Sequence, residues 1–198
     1  DLHVHSNFSE DSLDSVLELF NQARESNLSG FSVTDHGSLE GSRQAEELLE
    51  EIDQTDMIFV RGAEINTKSG HVLALGIDEL IERNQTVNRT ISRIHEQDGV
   101  AIAPHPFKLS GVGEEKIRQA EFDGIEVYNS LTFPRANQKA KELADDLGLA
   151  QTGGSDSHRG SIGSSRTVFS SRVKTEAQVL EEIRQGETRA EGGTNYKK

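Results

Sequence analysis

Histidine and acidic residues recur along this chain where short apolar runs begin or end. His3 and His5 stand two residues apart, so on a strand their imidazoles project from the same face. Asp156 and His158 repeat that spacing near the other end of the chain. Imidazole and carboxylate are a donor set that divalent transition metals take in proteins, and the chain has no cysteine to offer thiolate. The two pairs therefore predict metal ligands.

Further residues of the same two types lie between the pairs. They are Asp11, His36, Glu64, His71 and His105. If the strands run parallel, their carboxyl ends meet on one face, and all these side chains can form one cluster. Each polar group would cost on the order of 1–3 kcal/mol if it were buried without a partner, and divalent ions remove that cost. A single histidine at a strand end is usually hydrogen-bonded or solvated, so the prediction depends on the whole set.

The elements that must position this cluster alternate in type along the chain. Strand-like runs are 2–5, 31–34, 57–60, 71–75, 100–103, 125–127 and 149–152, with 167–169 a weaker eighth. Apolar residues at helical spacing of three and four recur in 13–20, 45–52, 87–94, 136–147 and 177–183. This alternation predicts a parallel α/β sheet or barrel, whose strand ends carry the cluster.

Length and charge limit the classes of protein to which this chain can belong. The 198 residues fit one domain, which we place at 1–191, with 192–198 a polar tail or the stub of a longer chain. A net charge of −13 repels a polyphosphate backbone, so non-specific binding to duplex nucleic acid is not expected. No run approaches the roughly 20 apolar residues of a membrane span, and no export signal opens the sequence. We therefore expect a cytoplasmic protein that does not bind membranes.

In their order, these motifs resemble those of the PHP (polymerase and histidinol phosphatase) family. The matching residues are Asp1-Leu2-His3-Val4-His5-Ser6 with Asp11, Thr34-Asp35-His36, Gly62-Ala63-Glu64, His71, His105-Pro106 and Ser155-Asp156-Ser157-His158. The resemblance implies a distorted (β/α)7 TIM-like barrel with two to three divalent ions (Mn, Zn or Fe). In this family the first acidic ligand commonly follows serine directly. Here Ser9-Glu10-Asp11 inserts a residue, which favours Asp11 and leaves Glu10 as an alternative.

The resemblance also implies how the ligands divide among the ions. One ion takes His3, His5, Glu64 and Asp156; Glu64 bridges to a second ion held by His71 and His105; and a third takes Asp11, His36 and His158. Among these, the residues expected to be catalytic are His3, His5, Glu64, Asp156 and His158.

Supporting roles are predicted for several other residues. Asp1 and Asp35 are expected to accept hydrogen bonds from ligand imidazoles, with a helix-cap or surface role as the alternative. Arg135 and Arg159 are expected to bind phosphate oxygens, with simple solvent exposure as the alternative. Glu126 alternates with apolar neighbours and should face the barrel interior, where a structural hydrogen bond is favoured over metal ligation.

The predicted function is hydrolysis of small or terminal phosphate esters by metal-activated water. The substrate would be a nucleotide, a sugar phosphate or an oligonucleotide end. One alternative is an amidohydrolase-like carbonyl hydrolase, since similar metal clusters activate water toward carbonyl carbon. The other is a non-catalytic PHP module in a larger assembly. Such a module should have lost ligands, whereas this chain keeps a candidate at every ligand position.

Overall fold

The computed structural model describes residues 1–52 and 57–192, in which helices and strands alternate except at two places where one strand directly follows another. The elements are α1 (Val16–Glu25), β1 (Gly30–Val33), α2 (Glu40–Glu51), β2 (Ile58–Thr67), β3 (Gly70–Leu75), α3 (Val87–His95), β4 (Val100–Ala103), α4 (Gly113–Arg118), β5 (Gly124–Asn129), α5 (Pro134–Leu147), β6 (Ala150–Gly154), β7 (Ser165–Phe169), α6 (Glu176–Arg184) and β8 (Thr188–Gly192). Gly192 ends β8 and is not part of a tail, and the rest of the predicted tail, 193–198, lies outside the described residues.

Six strands form a curled sheet in the order β1-β2-β3-β4-β5-β6, and β7 pairs with β8 in a separate hairpin. The pairs β1/β2, β4/β5 and β5/β6 are parallel, but β3 is antiparallel to both of its neighbours. The prediction of a parallel sheet is therefore wrong for β3. Only Lys68 and Ser69 separate β2 from β3, and a connection that short can form a hairpin but not a parallel crossover.

The extended segment at the start of the chain joins the two outer edges of this sheet. The Val4 carbonyl accepts a hydrogen bond from the Thr34 amide at 2.7 Å, just beyond β1. On its other side, the His5 amide donates to the Ser157 carbonyl at 2.9 Å, just beyond β6. The predicted strand at 2–5 is thus a single bridge between Val4 and Ser157, and it brings His3 and His5 next to the end of β6.

Apolar side chains fill one end of the face that carries Glu64. Glu64 pairs in register with Leu73, which pairs with Ile102, so the three side chains share that face. Helix α6 packs against it where the parallel strands begin. The cluster consists of Leu2, Val60, Leu73, Leu75, Val100, Ile102, Ala150, Val179, Leu180 and Ile183. The opposite end of the same face is left for polar side chains.

The other helices cover the outer face of the sheet, and their ends follow local rules. Helix α1 begins after Ser15, whose hydroxyl forms a capping box with Glu18. Pro134 opens α5, and Gly148 ends it in the left-handed conformation that glycine adopts without strain. Helix α4 was not predicted. Among the described residues no helix combines the length and hydropathy of a membrane span.

Candidate metal centre

All the residues predicted as metal ligands come together where the parallel strands end. Their nitrogen and oxygen atoms form four overlapping groups, and the ligand atoms of each group lie within 4.8 Å of one another. The groups are His3, His5 and Glu64; His3, His105 and Asp156; His36, Glu64 and His71; and His5, Asp11, His36 and His158. The groups overlap, so they do not by themselves divide the residues among separate ions: His105 also lies with His3 and Asp156, His71 with His36, and His5 with Asp11.

Glu64 lies at the middle of the cluster. Its Oε1 is 2.9 Å from His71 Nδ1 and 3.1 Å from His105 Nε2. Its Oε2 faces three more imidazole nitrogens, those of His36, His5 and His3, at 3.2, 3.4 and 3.5 Å. Burial opposes the ionised form, but His3 and the other imidazoles outweigh it and hold the pKa of Glu64 well below its ordinary value. One buried carboxylate is thus shared by five imidazoles.

The direction of β3 explains how His71 reaches this carboxylate. In the parallel strands the polar residues lie at the carboxyl end, but His71 is the second residue of β3. Because β3 runs antiparallel to β2, its first residues lie beside the last residues of β2, and His71 pairs in register with Asn66. A ligand at the start of an antiparallel strand therefore reaches the same face as ligands at the ends of parallel strands.

The two carboxylate oxygens of Asp156 have different partners. Oδ1 lies 3.4 Å from both His3 Nε2 and His5 Nε2 and faces the imidazoles. Oδ2 accepts hydrogen bonds from Lys108 Nζ at 2.9 Å and Asn129 Nδ2 at 3.2 Å. Asp156 has φ 55°, a left-handed conformation that non-glycine residues rarely adopt. The fold therefore holds this side chain in place at a cost in backbone strain.

Asp11 completes the cluster at its solvent-facing side. Its Oδ2 is 3.1 Å from His158 Nε2 and 3.6 Å from His36 Nε2. Glu10, the alternative acidic ligand, is exposed and pairs with no histidine within the described residues. The geometry thus favours Asp11 over Glu10.

Glu126 orients His3 from behind. Its Oε1 accepts a hydrogen bond from His3 Nδ1 at 3.0 Å, which points His3 Nε2 into the cluster. Its Oε2 accepts from the His105 amide at 2.8 Å and from Asn129 Nδ2 at 2.9 Å. The interior position and the structural hydrogen bond predicted for Glu126 are both observed. The carboxylate that accepts a hydrogen bond from the His3 imidazole is therefore that of Glu126, and not that of Asp1 or Asp35.

Asp1 and Asp35 were expected to contact ligand imidazoles, and this expectation is wrong. Asp1 accepts hydrogen bonds from three backbone amides, those of His3, Ser155 and Gly163, at 3.2, 3.0 and 2.8 Å. Asp35 accepts from the amide and the hydroxyl of Ser6 at 2.6 and 2.7 Å. Buried amides need acceptors, and these carboxylates satisfy them. Both residues therefore fix the backbone that carries the ligands.

Arg135 and Arg159 are both exposed. Arg135 lies in the first turn of α5, and Arg159 directly follows His158. Neither guanidinium pairs with a carboxylate of the cluster in the described part of the chain. The cationic side chain that does so is Lys108, three residues after His105 on the loop that follows β4. Sequence reasoning missed Lys108 and Asn129, although each lies shortly after a predicted strand.

The carboxylates around His3 favour a positive charge at this position. Burial lowers the pKa of His3, yet Glu126, Asp156 and Glu64 outweigh burial and raise it well above the ordinary value. In His5, burial and the nearby His3 lower the pKa to about 4, so its imidazole is neutral near pH 7 and can act as a ligand. In the described residues, His105 Nδ1 is buried without a hydrogen-bond partner, and the contact of His36 Nδ1 with Glu64 Oε2 does not have hydrogen-bond geometry. The donor set is imidazole and carboxylate throughout, and it fits divalent ions.

Two family models and a protein of another organism match this chain. Residues 1–153 match the model of the PHP domain, and residues 134–188 match a model described as PHP-associated. The uncharacterized protein MJ1587 of Methanocaldococcus jannaschii is 30% identical over 142 residues, which are 66% of this chain and 81% of that protein.

Solved structures show the same fold. A two-domain protein of Bacteroides vulgatus ATCC 8482, which contains a predicted PHP-like metal-dependent phosphoesterase, matches with a TM-score of 0.78 and 20% identity. That match covers 97% of this chain and 64% of the other. A candidate metal-dependent phosphoesterase of Bifidobacterium adolescentis ATCC 15703 matches with a TM-score of 0.70 and 18% identity, covering 92% of this chain and 94% of the other.

Proposed function

This chain belongs to the PHP domain family, and from that premise we propose that it hydrolyses small or terminal phosphate esters with the help of bound divalent ions. The observation that carries the proposal is the single buried carboxylate, Glu64, shared by five imidazoles. A full set of ligand candidates surrounds it. A non-catalytic member of the family would be expected to lack part of that set.

We assign the ligand roles to the residues that the structure brings together. The set is His3, His5, Asp11, His36, Glu64, His71, His105, Asp156 and His158, and it would hold two to three ions of Mn, Zn or Fe. Such ions, when bound, supply an acidified water as nucleophile and neutralise the charge that develops on the phosphoryl oxygens. In this proposal the segment from Leu2 to His5, which forms a single bridge, takes the place of a seventh strand in closing a distorted (β/α)7 barrel around the site.

The remaining residues keep this ligand set in place. Glu126 holds the proton of His3 on Nδ1, so that Nε2 is presented to the cluster. Asn129 donates to both Glu126 and Asp156, which fixes the two carboxylates relative to each other. Asp1 and Asp35 anchor the backbone on either side of the ligands. No nucleophilic side chain is required.

The charge distribution favours a small or terminal phosphate as substrate. The protein carries a net charge of −13, so a long polyanion is repelled over most of the surface. A bound cluster of divalent ions is locally positive and attracts one phosphate at short range. The partner we propose is therefore a small phosphorylated molecule or a nucleic-acid end.

Elemental analysis and a substrate panel test this function. We expect at least one transition metal per chain in the purified protein, release of phosphate from small phosphate esters, and loss of that activity in excess chelator. Faster turnover of a panel of carboxylic esters and lactams would favour the carbonyl hydrolase instead. Hydrolysis that persists at full rate in the metal-free protein would overturn the proposal.

A further inference from the structure

Lys108 lies on a loop that is fixed at both ends beside the metal centre. Its amide donates to the His105 carbonyl at 2.9 Å, and its carbonyl accepts from the Gly111 amide at 3.0 Å. The next residues of the loop are tied to β3, since the His71 amide donates to the Ser110 carbonyl at 2.9 Å. The backbone of Lys108 is thus positioned by the same loop that carries His105.

The ammonium group of Lys108 approaches the cluster from the side that the imidazoles leave open. It lies 2.9 Å from Asp156 Oδ2, whereas His3 and His5 face Asp156 Oδ1. Lys108 and the imidazoles therefore use different oxygens of one carboxylate. An ion bound by the imidazoles and Oδ1 can coexist with this contact.

The Lys108 ammonium group has N–H donors that Asp156 does not use. An ammonium group carries three N–H donors, and Asp156 accepts one of them. The Lys108 side chain is 31% exposed, whereas that of Asp156 is 3% exposed, so Lys108 is partly open to solvent beside a buried carboxylate. A compact positive charge with free donors next to a metal centre suits a phosphoryl oxygen.

We propose that Lys108 binds the phosphoryl group of the substrate, while Asp156 Oδ2 holds its ammonium group at the edge of the metal centre. This inference rests on the proposed phosphoesterase function and names the protein residue that recognises its substrate. Lys108 replaces Arg135 and Arg159 as the principal phosphate-binding cation, since neither arginine pairs with a carboxylate of the cluster among the described residues.

The test compares Lys108→Met with Lys108→Arg and with the control Lys116→Met. Lys116 is exposed on α4, the helix that follows the same loop, so its loss changes the net charge equally. Metal content is measured by elemental analysis, and binding of inorganic phosphate to the metal-loaded protein is measured by calorimetry. We expect Lys108→Met to keep its metal and to bind phosphate about tenfold or more weakly. We expect Lys108→Arg to recover most of the affinity and Lys116→Met to match the wild type.

Two outcomes separate this inference from a merely structural role. Unchanged phosphate affinity in Lys108→Met would overturn the inference and leave the phosphoesterase function standing. Loss of metal with Lys108→Met would overturn it as well, because Lys108 would then only orient Asp156. A wild-type protein that binds metal but no phosphate would contradict both proposals.

A measurement on the wild type covers the case in which Lys108→Met does not fold. Amine-reactive labelling of Lys108, read by peptide mass spectrometry, should be slowed by inorganic phosphate in the metal-loaded protein. Lys116 serves as the internal reference, and its labelling should not change. Equal labelling of Lys108 with and without phosphate would overturn the inference.

Discussion

Glu64 is the residue on which the whole centre depends, because its two oxygens face imidazoles from separate parts of the chain. Glu64→Gln keeps the volume of the side chain and removes its negative charge. Ions on either side of it would lose charge compensation, so we expect metal affinity to fall by about 10- to 100-fold and hydrolysis by at least as much. Elemental analysis after dialysis and a phosphate-release assay measure the two effects.

The matched control for that change is Glu121→Gln. Glu121 is exposed and, within the described residues, forms no ion pair, so its loss removes one negative charge without touching the centre. Circular dichroism should show that both variants are folded. Full metal content in Glu64→Gln would contradict a shared role for this carboxylate.

Asp35 should make the stability of the metal-free protein depend on pH. Burial raises its pKa to about 6 from the ordinary 3.8, although Ser6 donates two hydrogen bonds to it. Between these values the folded protein holds a proton that the unfolded chain has released, so this contribution to stability is lost as pH rises from about 4 to about 6. The full effect is roughly 3 kcal/mol, at about 1.4 kcal/mol per pKa unit.

Asp35→Asn isolates this contribution, because other titrating groups are present in both proteins. Urea unfolding in chelator at several pH values gives the free energy of unfolding of each. We expect the wild type to lose stability relative to Asp35→Asn as pH rises through this window. A difference that is constant from pH 4 to 6 would show that Asp35 titrates normally.

Strand β6 ends at Gly154, and the end of this element lies so close to His3 that only glycine fits at position 154. A Cβ at Gly154 would overlap Glu126 Oε1 and the Cβ of His3. Gly154→Ala should therefore push His3 away from Glu126, destabilise the fold by about 1–3 kcal/mol and weaken metal binding. Thermal unfolding in chelator and metal titration measure the two effects separately.

Gln151→Ala is the control on the same strand. The Gln151 side chain donates to Asp145 at the surface, so its removal should change stability by less than about 0.5 kcal/mol. Normal metal affinity in Gly154→Ala would mean that the contact between β6 and His3 has room to relax.

The strands differ in how well the sequence predicts them. The positions of most strands were predictable because apolar runs and the polar residues that follow them are local features. The direction of β3 was not, because the apolar run of β2 breaks at Arg61 while the strand itself continues to Thr67. Neighbouring strands supply the hydrogen bonds that extend β2 through Gly62 and Glu64.

The sequence predicted which residues form the candidate site better than it predicted the contacts between them. Residue type and spacing identified the candidate ligands, and all of those predicted lie in the cluster. The partners of Asp1 and the position of Lys108 depend on loops that meet only in the folded molecule. Such non-local contacts leave no periodic pattern in the chain.

For the whole molecule, the net charge of −13 sets an expectation about long substrates. A circular single strand must lay its backbone across a repulsive surface, whereas a linear strand can present one terminal phosphate to the centre. We expect the linear strand to be cut and the circle to be left intact. Added salt should aid the reaction or barely affect it, opposite to the steep loss seen with basic nucleic-acid binders. Efficient cutting of the circle would refute recognition of ends.

The joining of the first residues to the end of β6 has a consequence for how this protein is made in the cell. His3 and His5 leave the ribosome well before Asp156 and His158, the residues that complete their groups. Closing so long a loop is an entropic cost that the intervening strands must first offset by pairing. A nascent chain that ends before residue 158 lacks part of the predicted ligand set. The ions that we propose would therefore find their full set of ligands only after His158 has been synthesised.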